Sequence, residues 1–278
     1  MTQDELLALI DQAAIEGWTE LDLSGQGLTE LPPEIGQLTQ LETLILGKQV
    51  EGYERVGDRF LPKVVSNALT ALPEALGHLD QLQVLDLSGN PFTTLPEVVT
   101  QLPQLQKLVG VRLKLEQIPD SLSQSPQLQQ LDLFNNQITT IPDSLAQSPQ
   151  LQQLDLSVNQ ITTIPDSLAQ SPQLQKLDLR RNPLPISPEI LGPPEFHRAP
   201  GSVAAIFNYV RLLRSGEVKP LNEAKLLLVG QGSVGKTSLV NRLIDDRFDQ
   251  NESQTAGLHR RNWSVNVNSK DVRLPLLR

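Results

Sequence analysis

The stretch Leu128–Gln150 reads LQQLDLFNNQITTIPDSLAQSPQ, and it recurs almost unchanged as LQQLDLSVNQITTIPDSLAQSPQ over Leu151–Gln173. Further copies on both sides establish a repeat with a period of 23 residues. The second copy is longer because residues 48–65 are inserted into it, and removing them restores 23 residues. The chain therefore holds seven units, which begin at Trp18, Leu41, Leu82, Leu105, Leu128, Leu151 and Leu174.

Each unit approximates to the pattern LxxLxLxxNxLxxLPxxLxxLxx. The alternation in LxLxx is typical of a short strand, and one such strand cannot bury its own apolar face. Stacked neighbours can, so we predict a solenoid with one parallel sheet. Proline at position 15 lacks a backbone donor and is expected on the return arc outside the sheet. The pattern resembles the leucine-rich repeat, which implies an α/β solenoid.

Position 9 of the repeat is polar in most units. An amide side chain can both donate and accept, so we interpret it as a structural group that pairs backbone atoms in a buried turn. The fourth unit departs from the pattern at Gly110 and Leu113, and we expect it to be irregular and looser. The position-9 amides are Gln26, Asn67, Asn90, Asn136, Asn159 and Asn182.

Segments outside the repeats are expected to close the solenoid. Residues 1–17 are predicted to form a capping helix, favoured over a partner-binding helix, with Thr2 and Glu5 in a capping box. The repeats occupy residues 18–196, and residues 197–222 form a linker with a second helix over Ser202–Ser215. The apolar stripe predicted for the first helix is Leu6, Leu7, Ile10 and Ala14.

Composition bounds the function. The chain has no cysteine, which excludes disulfides and thiol chemistry. Its start is acidic, unlike a secretory signal, and no apolar run approaches the ~20 residues of a membrane span. Residues 1–196 carry 10 basic and 25 acidic side chains, whereas residues 197–278 carry 13 and 7. We therefore expect a cytoplasmic protein of about two domains that binds neither membranes nor nucleic acid.

The predicted concave face carries an acidic row. Asp132, Asp155 and Asp178 occupy one position in adjacent rungs, about 4.8 Å apart, so repulsion should raise their pKa values. Lys176 and Arg180 could relieve the last of them. One hypothesis is a face that binds a basic protein partner, and the other is a solvated Asp copied by duplication. The insert 48–65 is either a partner contact or a plain surface loop.

The segment after the linker carries a phosphate-binding motif. Residues 225–229 read KLLLV and predict a buried parallel strand, after which Gly230–Thr237 fits GxxxxGK[ST]. Backbone N–H groups of such a loop bind phosphate, Lys236 would reach the β- and γ-phosphates, and the Thr237 hydroxyl would ligate Mg²⁺. The predicted nucleotide-binding residues are Gly230, Gln231, Gly232, Ser233, Val234, Gly235, Lys236, Thr237 and Ser238.

The loop GQGSVGKTSL resembles that of Ras-like GTPases, and RFDQNESQTAGLHRRNWSV resembles their switch I and second strand. Thr255 stands where that family carries a switch threonine, which implies a second Mg²⁺ ligand; an ordinary loop threonine is the alternative. Repeats joined to a Ras-like segment resemble the Roco family, in which a Roc GTPase domain precedes a COR dimerisation domain. The resemblance implies GTP or GDP and Mg²⁺ as cofactors, and a protein partner on the repeats.

Two motifs of a Ras-like domain, DxxG for Mg²⁺ and the γ-phosphate and NKxD for guanine, do not follow the phosphate loop within residues 223–278. We therefore expect an incomplete Roc domain there, in a Roco protein truncated before its COR dimerisation domain. One hypothesis is a signalling scaffold coupled to a GTP-binding module. The alternative is a repeat-only binding protein with a vestigial loop. The parent family hydrolyses GTP, but no catalytic residue is assigned here, and guanine is not distinguished from adenine.

Overall fold

The computed structural model describes residues 1–56, 59–171, 173–193, 195, 198–215, 226–227, 260–267 and 270–277. The chain divides into two units, residues 1–215 and 216–278. The first unit contains one strand per repeat and an additional strand from the insert. These strands are β1 Glu20–Asp22, β2 Thr43–Val56, β3 Arg59–Ser66, β4 Val84–Leu87, β5 Lys107–Val109, β6 Gln130–Asp132, β7 Gln153–Asp155 and β8 Lys176–Asp178.

The repeat strands form one parallel sheet in the order β1-β2-β4-β5-β6-β7-β8. Equivalent repeat positions pair across every rung, so that Leu108 pairs with Leu131 and Leu131 with Leu154. This register confirms the predicted solenoid, because each leucine continues one buried row. The fourth-position leucines of this row are Leu21, Leu44, Leu85, Leu108, Leu131, Leu154 and Leu177.

Short 3₁₀ helices form the return arcs, and a proline precedes each of them with extended backbone, for example Pro142 with φ −69° and ψ 142°. In the seventh unit Pro188 instead begins a short α-helix. The predicted location of the prolines outside the sheet is confirmed. The 3₁₀ helices are Pro33–Gln37, Glu74–His78, Glu97–Gln101, Asp120–Gln124, Asp143–Gln147 and Asp166–Gln170.

The position-9 asparagines pair backbone groups between adjacent repeats. The Asn159 side chain accepts from the Ile138 N–H at 3.0 Å and donates to the carbonyls of Leu133 and Leu156, both at 3.0 Å. Asn67, Asn90, Asn136 and Asn182 repeat this arrangement. The structural interpretation of these asparagines is therefore confirmed.

The expectation of a looser fourth unit is wrong. Its strand β5 pairs in regular register with β4 and β6. Gly110 leaves room in the core, and a Cβ built there would lie 2.9 Å from a methyl carbon of Leu113. Leu113 is 5% exposed, so the residue that replaces the asparagine fills the space that the missing leucine leaves.

Helices close both ends of the first unit. The first, α1 Gln3–Glu16, has the predicted capping box between Thr2 and Glu5, and it buries Leu6, Ile10 and Ala13. Ala14 is exposed, so the predicted stripe was wrong by one residue at its end. At the other end lie α2 Pro188–Leu191 and α3 Val203–Ser215. Helix α3 packs on the core through the fully buried Ile206.

The insert is a β-hairpin, so the expectation of a plain loop is wrong. Strand β2 continues past the sheet and pairs antiparallel with β3, from the Gly47–Ser66 pair to the Val56–Arg59 pair. A register shift lies between Val50 and Tyr53. We refer to residues 48–65 as the insert hairpin. Its tip, residues 57 and 58, lies outside the described residues.

Three serines interrupt a buried row of leucines on the return side. Ser125, Ser148 and Ser171 occupy the position where earlier units have the buried Leu38, Leu79 and Leu102. Their hydroxyls are buried and have no hydrogen-bond partner within the described part of the chain. Because an unpaired buried hydroxyl costs about 1–3 kcal/mol, these positions weaken the later repeats.

Ser148→Ala should therefore raise the free energy of unfolding by about 1 kcal/mol, as measured by urea denaturation. Ser88→Ala is the matched control, because Ser88 is equally buried but donates to Asp86 at 2.5 Å and accepts from the Val111 N–H at 3.3 Å. The control should lose about 1 kcal/mol. An equal loss in both variants would contradict the prediction.

The second unit contains three described strands, β9 Leu226–Leu227, β10 Arg260–Val267 and β11 Lys270–Leu277. Strand β11 pairs antiparallel with β10 and parallel with β9, which gives the order β10-β11-β9. The chain between the parallel strands β9 and β11 covers residues 228–269 and includes β10. Strands β9 and β10 therefore confirm the strand predicted within residues 225–229 and the second strand predicted after the switch I segment.

Candidate functional site

The outer face of the first sheet, the concave face of the predicted solenoid, carries a pocket of about 190 Å³. Strands β6 to β8 contribute the carboxylates of its floor, and the insert hairpin contributes part of its wall. The lining residues are Gln49 and Pro62 from the hairpin, Asp132, Phe134, Asp155, Lys176, Asp178 and Arg180 from the repeats, and Arg198 and Pro200 beyond them. The three aspartates predicted to lie together are therefore in one pocket.

The turn after each strand holds these carboxylates by the same local bond. A carboxylate oxygen accepts from the backbone N–H two residues ahead, at 3.0 Å in Asp132, 2.9 Å in Asp155 and 3.1 Å in Asp178. Asp155 also accepts from the Ser157 hydroxyl at 2.6 Å. The aspartate therefore has a structural role in the turn. The same bond leaves the second oxygen of Asp155 available for other contacts.

Burial is the main cause of the raised pKa values of the aspartates on this face. Burial, together with the neighbouring carboxylates of Asp132 and Asp178, raises the pKa of Asp155 to about 7. Burial likewise raises the pKa of Asp132, whereas Lys107 and Lys176 oppose that shift. Asp86, further along the face, has its pKa raised by burial to about 6. The predicted direction is confirmed for Asp132 and Asp155, but desolvation rather than repulsion dominates.

Arg180 neutralises the last carboxylate of the row, as predicted. Its Nε donates to both Asp178 oxygens at 2.9 and 3.0 Å, and both side chains are almost fully buried. One terminal nitrogen also donates to the backbone carbonyls of Pro193, Glu195 and Arg198, at 2.8, 2.8 and 3.2 Å. The guanidinium therefore attaches the chain that leaves the last repeat to the edge of the pocket.

A small apolar cluster, separate from the main core, attaches the insert hairpin beside this pocket. Leu61 of the hairpin packs with Val109, Val111, Phe134 and Val158 of units four to six. Sequence reasoning missed this cluster. The available signal was the presence of Val111, Phe134 and Val158 at turn positions where other units carry small or polar residues.

The described residues contain no group of histidine, cysteine, aspartate or glutamate side chains arranged to hold a metal ion. None of the helices in the described part of the chain is both long and apolar enough to cross a bilayer.

The predicted nucleotide site falls in the second unit. Residues 230–238 and Thr255, including Lys236 and Thr237, lie outside the described residues. The strand before them is described, because Leu226 and Leu227 pair parallel with Leu276 and Leu277. The phosphate motif thus begins three residues after a parallel strand, the position that phosphate loops occupy in α/β sheets.

Models of known protein families match both the repeats and the segment that follows them. Leucine-rich-repeat profiles match residues 126–184 and 81–102. The profile described as "Ras of Complex, Roc, domain of DAPkinase" matches residues 225–275. The chain is therefore an α/β repeat protein with a Ras-like segment. Leucine-rich repeats followed by a Roc segment are the architecture of the Roco family, and this chain has that architecture.

Individual relatives cover the two parts separately. The Ras-related protein Rab-18 of Caenorhabditis briggsae is 37% identical over 57 residues, which are 20% of this chain and 28% of the relative. The same figures hold for Rab-18 of Caenorhabditis elegans, so the chain spans 28% of the length of these relatives.

Two solved structures of leucine-rich-repeat proteins are similar to part of this chain. A leucine-rich-repeat protein of Leptospira interrogans is 30% identical, with a TM-score of 0.48 over 63% of this chain and 46% of the other. The ectodomain of the Arabidopsis receptor kinase HAESA, solved with a peptide hormone ligand, is 28% identical, with a TM-score of 0.43 over 56% of this chain and 24% of the other.

Proposed function

We propose that this chain is a cytoplasmic signalling scaffold. Its concave repeat face binds a protein partner, and its Roc segment binds a guanine nucleotide with Mg²⁺. The observation that carries the nucleotide half is the parallel pairing of β9 with β11, immediately before a complete GxxxxGK[ST] motif. The observation that carries the partner half is the row of carboxylates presented on one sheet face.

A basic segment is the partner chemistry that the concave face favours. Asp155 is held at a high pKa by burial and by two neighbouring aspartates, so a nearby cation would stabilise its ionised form. Arg180 already neutralises Asp178, and this leaves Asp132 and Asp155 as the carboxylates that a ligand would meet. The structural role of these aspartates in their turns is compatible with this second role, because each turn bond uses only one oxygen.

The nucleotide roles follow from the motif and its chemistry. Backbone N–H groups of residues 230–235 would surround the phosphates, and Lys236 would supply a positive charge to the β- and γ-phosphates. Thr237 would ligate Mg²⁺, with Ser238 next to it and Thr255 as the switch ligand. GTP hydrolysis is the activity of the family, but we assign no catalytic residue in this chain.

Nucleotide binding is testable on the purified 278-residue chain. Titration with fluorescent GDP and GTP in Mg²⁺ should show saturable binding, with excess unlabelled GTP competing better than ATP. Lys236→Ala should weaken binding at least tenfold, about 1.4 kcal/mol, because it removes the phosphate-binding ammonium. Lys219→Ala, outside the motif, should leave the affinity unchanged.

The alternative function has its own signature in the same experiment. If neither nucleotide binds below about millimolar, a free energy of only ~4 kcal/mol, the loop is vestigial and the chain is a repeat-only binding protein. If ATP and GTP compete equally well, the loop binds phosphate as proposed, but the assignment of guanine as the base is wrong.

A further inference from the structure

The insert hairpin crosses the outer sheet face instead of projecting away from its own repeat. It leaves the sheet in the second unit, yet Leu61 is only 2% exposed within the apolar cluster of units four to six. Gln49 and Pro62 of the hairpin line the same pocket as Asp132 and Asp155. The hairpin therefore occupies part of the face that the proposed function assigns to a partner.

Within the described residues, two apolar side chains and two ion pairs attach the hairpin to the face. Leu61 is the main buried side chain, and Val64 is partly buried against the same cluster. The polar attachments include Lys48, which pairs with Asp22 near the base of the hairpin, and Arg112, which pairs with Glu54 and donates to the Pro62 carbonyl at 3.1 Å. The Glu54 side chain is 42% exposed, so water competes for this ion pair. The inner repeat strands, by contrast, each have a hydrogen-bonded strand on both sides.

The surface under the hairpin holds a strained backbone. Val158 adopts a left-handed conformation with φ 57°, which is unfavourable for a β-branched residue. Asn135 takes the same conformation in the preceding unit, and asparagine tolerates it well. The same positive φ recurs at this repeat position at Gly25, Gly89, Arg112 and Arg181, so it belongs to the repeat turn. In the sixth unit it places an apolar side chain in the cluster below Leu61.

The base of the hairpin is suited to bending. The pairing of β2 with β4 shifts register between Ile45 and Gly47, where the ribbon leaves the sheet. A side chain at Gly47 would place its Cβ 1.9 Å from the Ser88 carbonyl oxygen, so only glycine fits this crossing point. The ribbon therefore joins the sheet through a glycine and a register irregularity rather than through continuous pairing.

We propose that the insert hairpin is a strap that closes the outer face over units four to six. It must lift from the Val111, Phe134 and Val158 cluster before a protein partner reaches Asp132 and Asp155. This regulation rests on the proposed function for its biological meaning. The opening itself is a property of the repeats, and it is measured without partner or nucleotide.

The absence of cysteine from the chain provides a clean test by single thiols. Val111 lies under the strap and Val99 lies in the main core, and both are 0% exposed. In Val111→Cys, a thiol reagent such as dithionitrobenzoate should react at least tenfold faster than in Val99→Cys. Adding Arg112→Asn, which removes the polar attachment nearest the cluster and tolerates the left-handed backbone, should accelerate only the Val111→Cys reaction, by threefold or more.

Urea separates local opening from global unfolding. Below the unfolding transition, the reaction rate of the Val111→Cys thiol should depend weakly on urea, because lifting a hairpin exposes little surface. The Val99→Cys rate should follow global unfolding. In the unsubstituted chain, amide hydrogens of residues 48–55 should exchange at least tenfold faster than those of β6 and β7. Equal thiol rates with equal urea dependence, or equal amide exchange, would overturn the strap and make the hairpin a fixed wall.

Discussion

Replacing Arg180 by alanine is expected to lower the free energy of unfolding by about 3–5 kcal/mol, because it removes one partner of a buried ion pair. Arg180 is 4% exposed and Asp178 is 2% exposed, so the remaining carboxylate would be a buried charge without its cation. The same change removes donors from the carbonyls of Pro193, Glu195 and Arg198. Urea denaturation followed by far-UV circular dichroism measures the loss.

Two variants test whether the lost ion pair is the cause. Arg211→Ala removes an exposed arginine from α3 and should change stability by less than about 0.5 kcal/mol. The double variant Asp178→Asn with Arg180→Gln leaves no buried charge unpaired, so it should be more stable than Arg180→Ala alone. If Arg180→Ala costs no more than Arg211→Ala, the end of the repeats does not depend on this contact.

Asp155→Asn is expected to raise the free energy of unfolding at pH 8 by roughly 2–4 kcal/mol, since each unit of pKa shift corresponds to about 1.4 kcal/mol. Burial raises the pKa of Asp155 from 3.8 to about 7, so at pH 8 the folded protein holds an ionised carboxylate in an unfavourable place. Asparagine has the same shape and can still accept from the Ser157 N–H, but it carries no charge.

The sign of the pH dependence follows from proton linkage. Between about pH 4 and pH 7 the folded protein binds the Asp155 proton and the unfolded chain does not, so stability falls as pH rises through this range. Asp86, with its pKa near 6, adds a smaller slope of the same sign. The difference in Tm between pH 5 and pH 8 should therefore be smaller for Asp155→Asn than for the unsubstituted chain.

Asp11→Asn is the matched control, because Asp11 is exposed on α1. It should keep the full pH dependence and the stability of the unsubstituted chain at both pH values. A pH profile of Asp155→Asn identical to that of Asp11→Asn would show that Asp155 is ionised at no cost, and that the acidic row is simply solvated.

The sequence by itself determined the repeat and most of what the repeat implies. A period of 23 residues aligns equivalent leucines in every rung, and proline at position 15 can lie only outside a hydrogen-bonded sheet. Asn159 and its equivalents were also interpretable, because a buried turn requires a side chain that both donates and accepts. Each of these features depends only on contacts within one repeat or between adjacent repeats. The same pattern in seven units therefore makes it readable from the sequence.

The tertiary structure alone decided where the non-repeating parts pack. Leu61 meets Val111, Phe134 and Val158, which lie 50 to 97 residues away in sequence, and no periodicity connects them. The fourth unit was mispredicted as irregular for the same reason, since Leu113 fills space beside Gly110 that is visible only in the packed core. Desolvation of Asp155 likewise depends on the surrounding fold rather than on its own repeat. Burial is a sum over contacts from distant segments, so the sequence of one unit determines its register but not its surroundings.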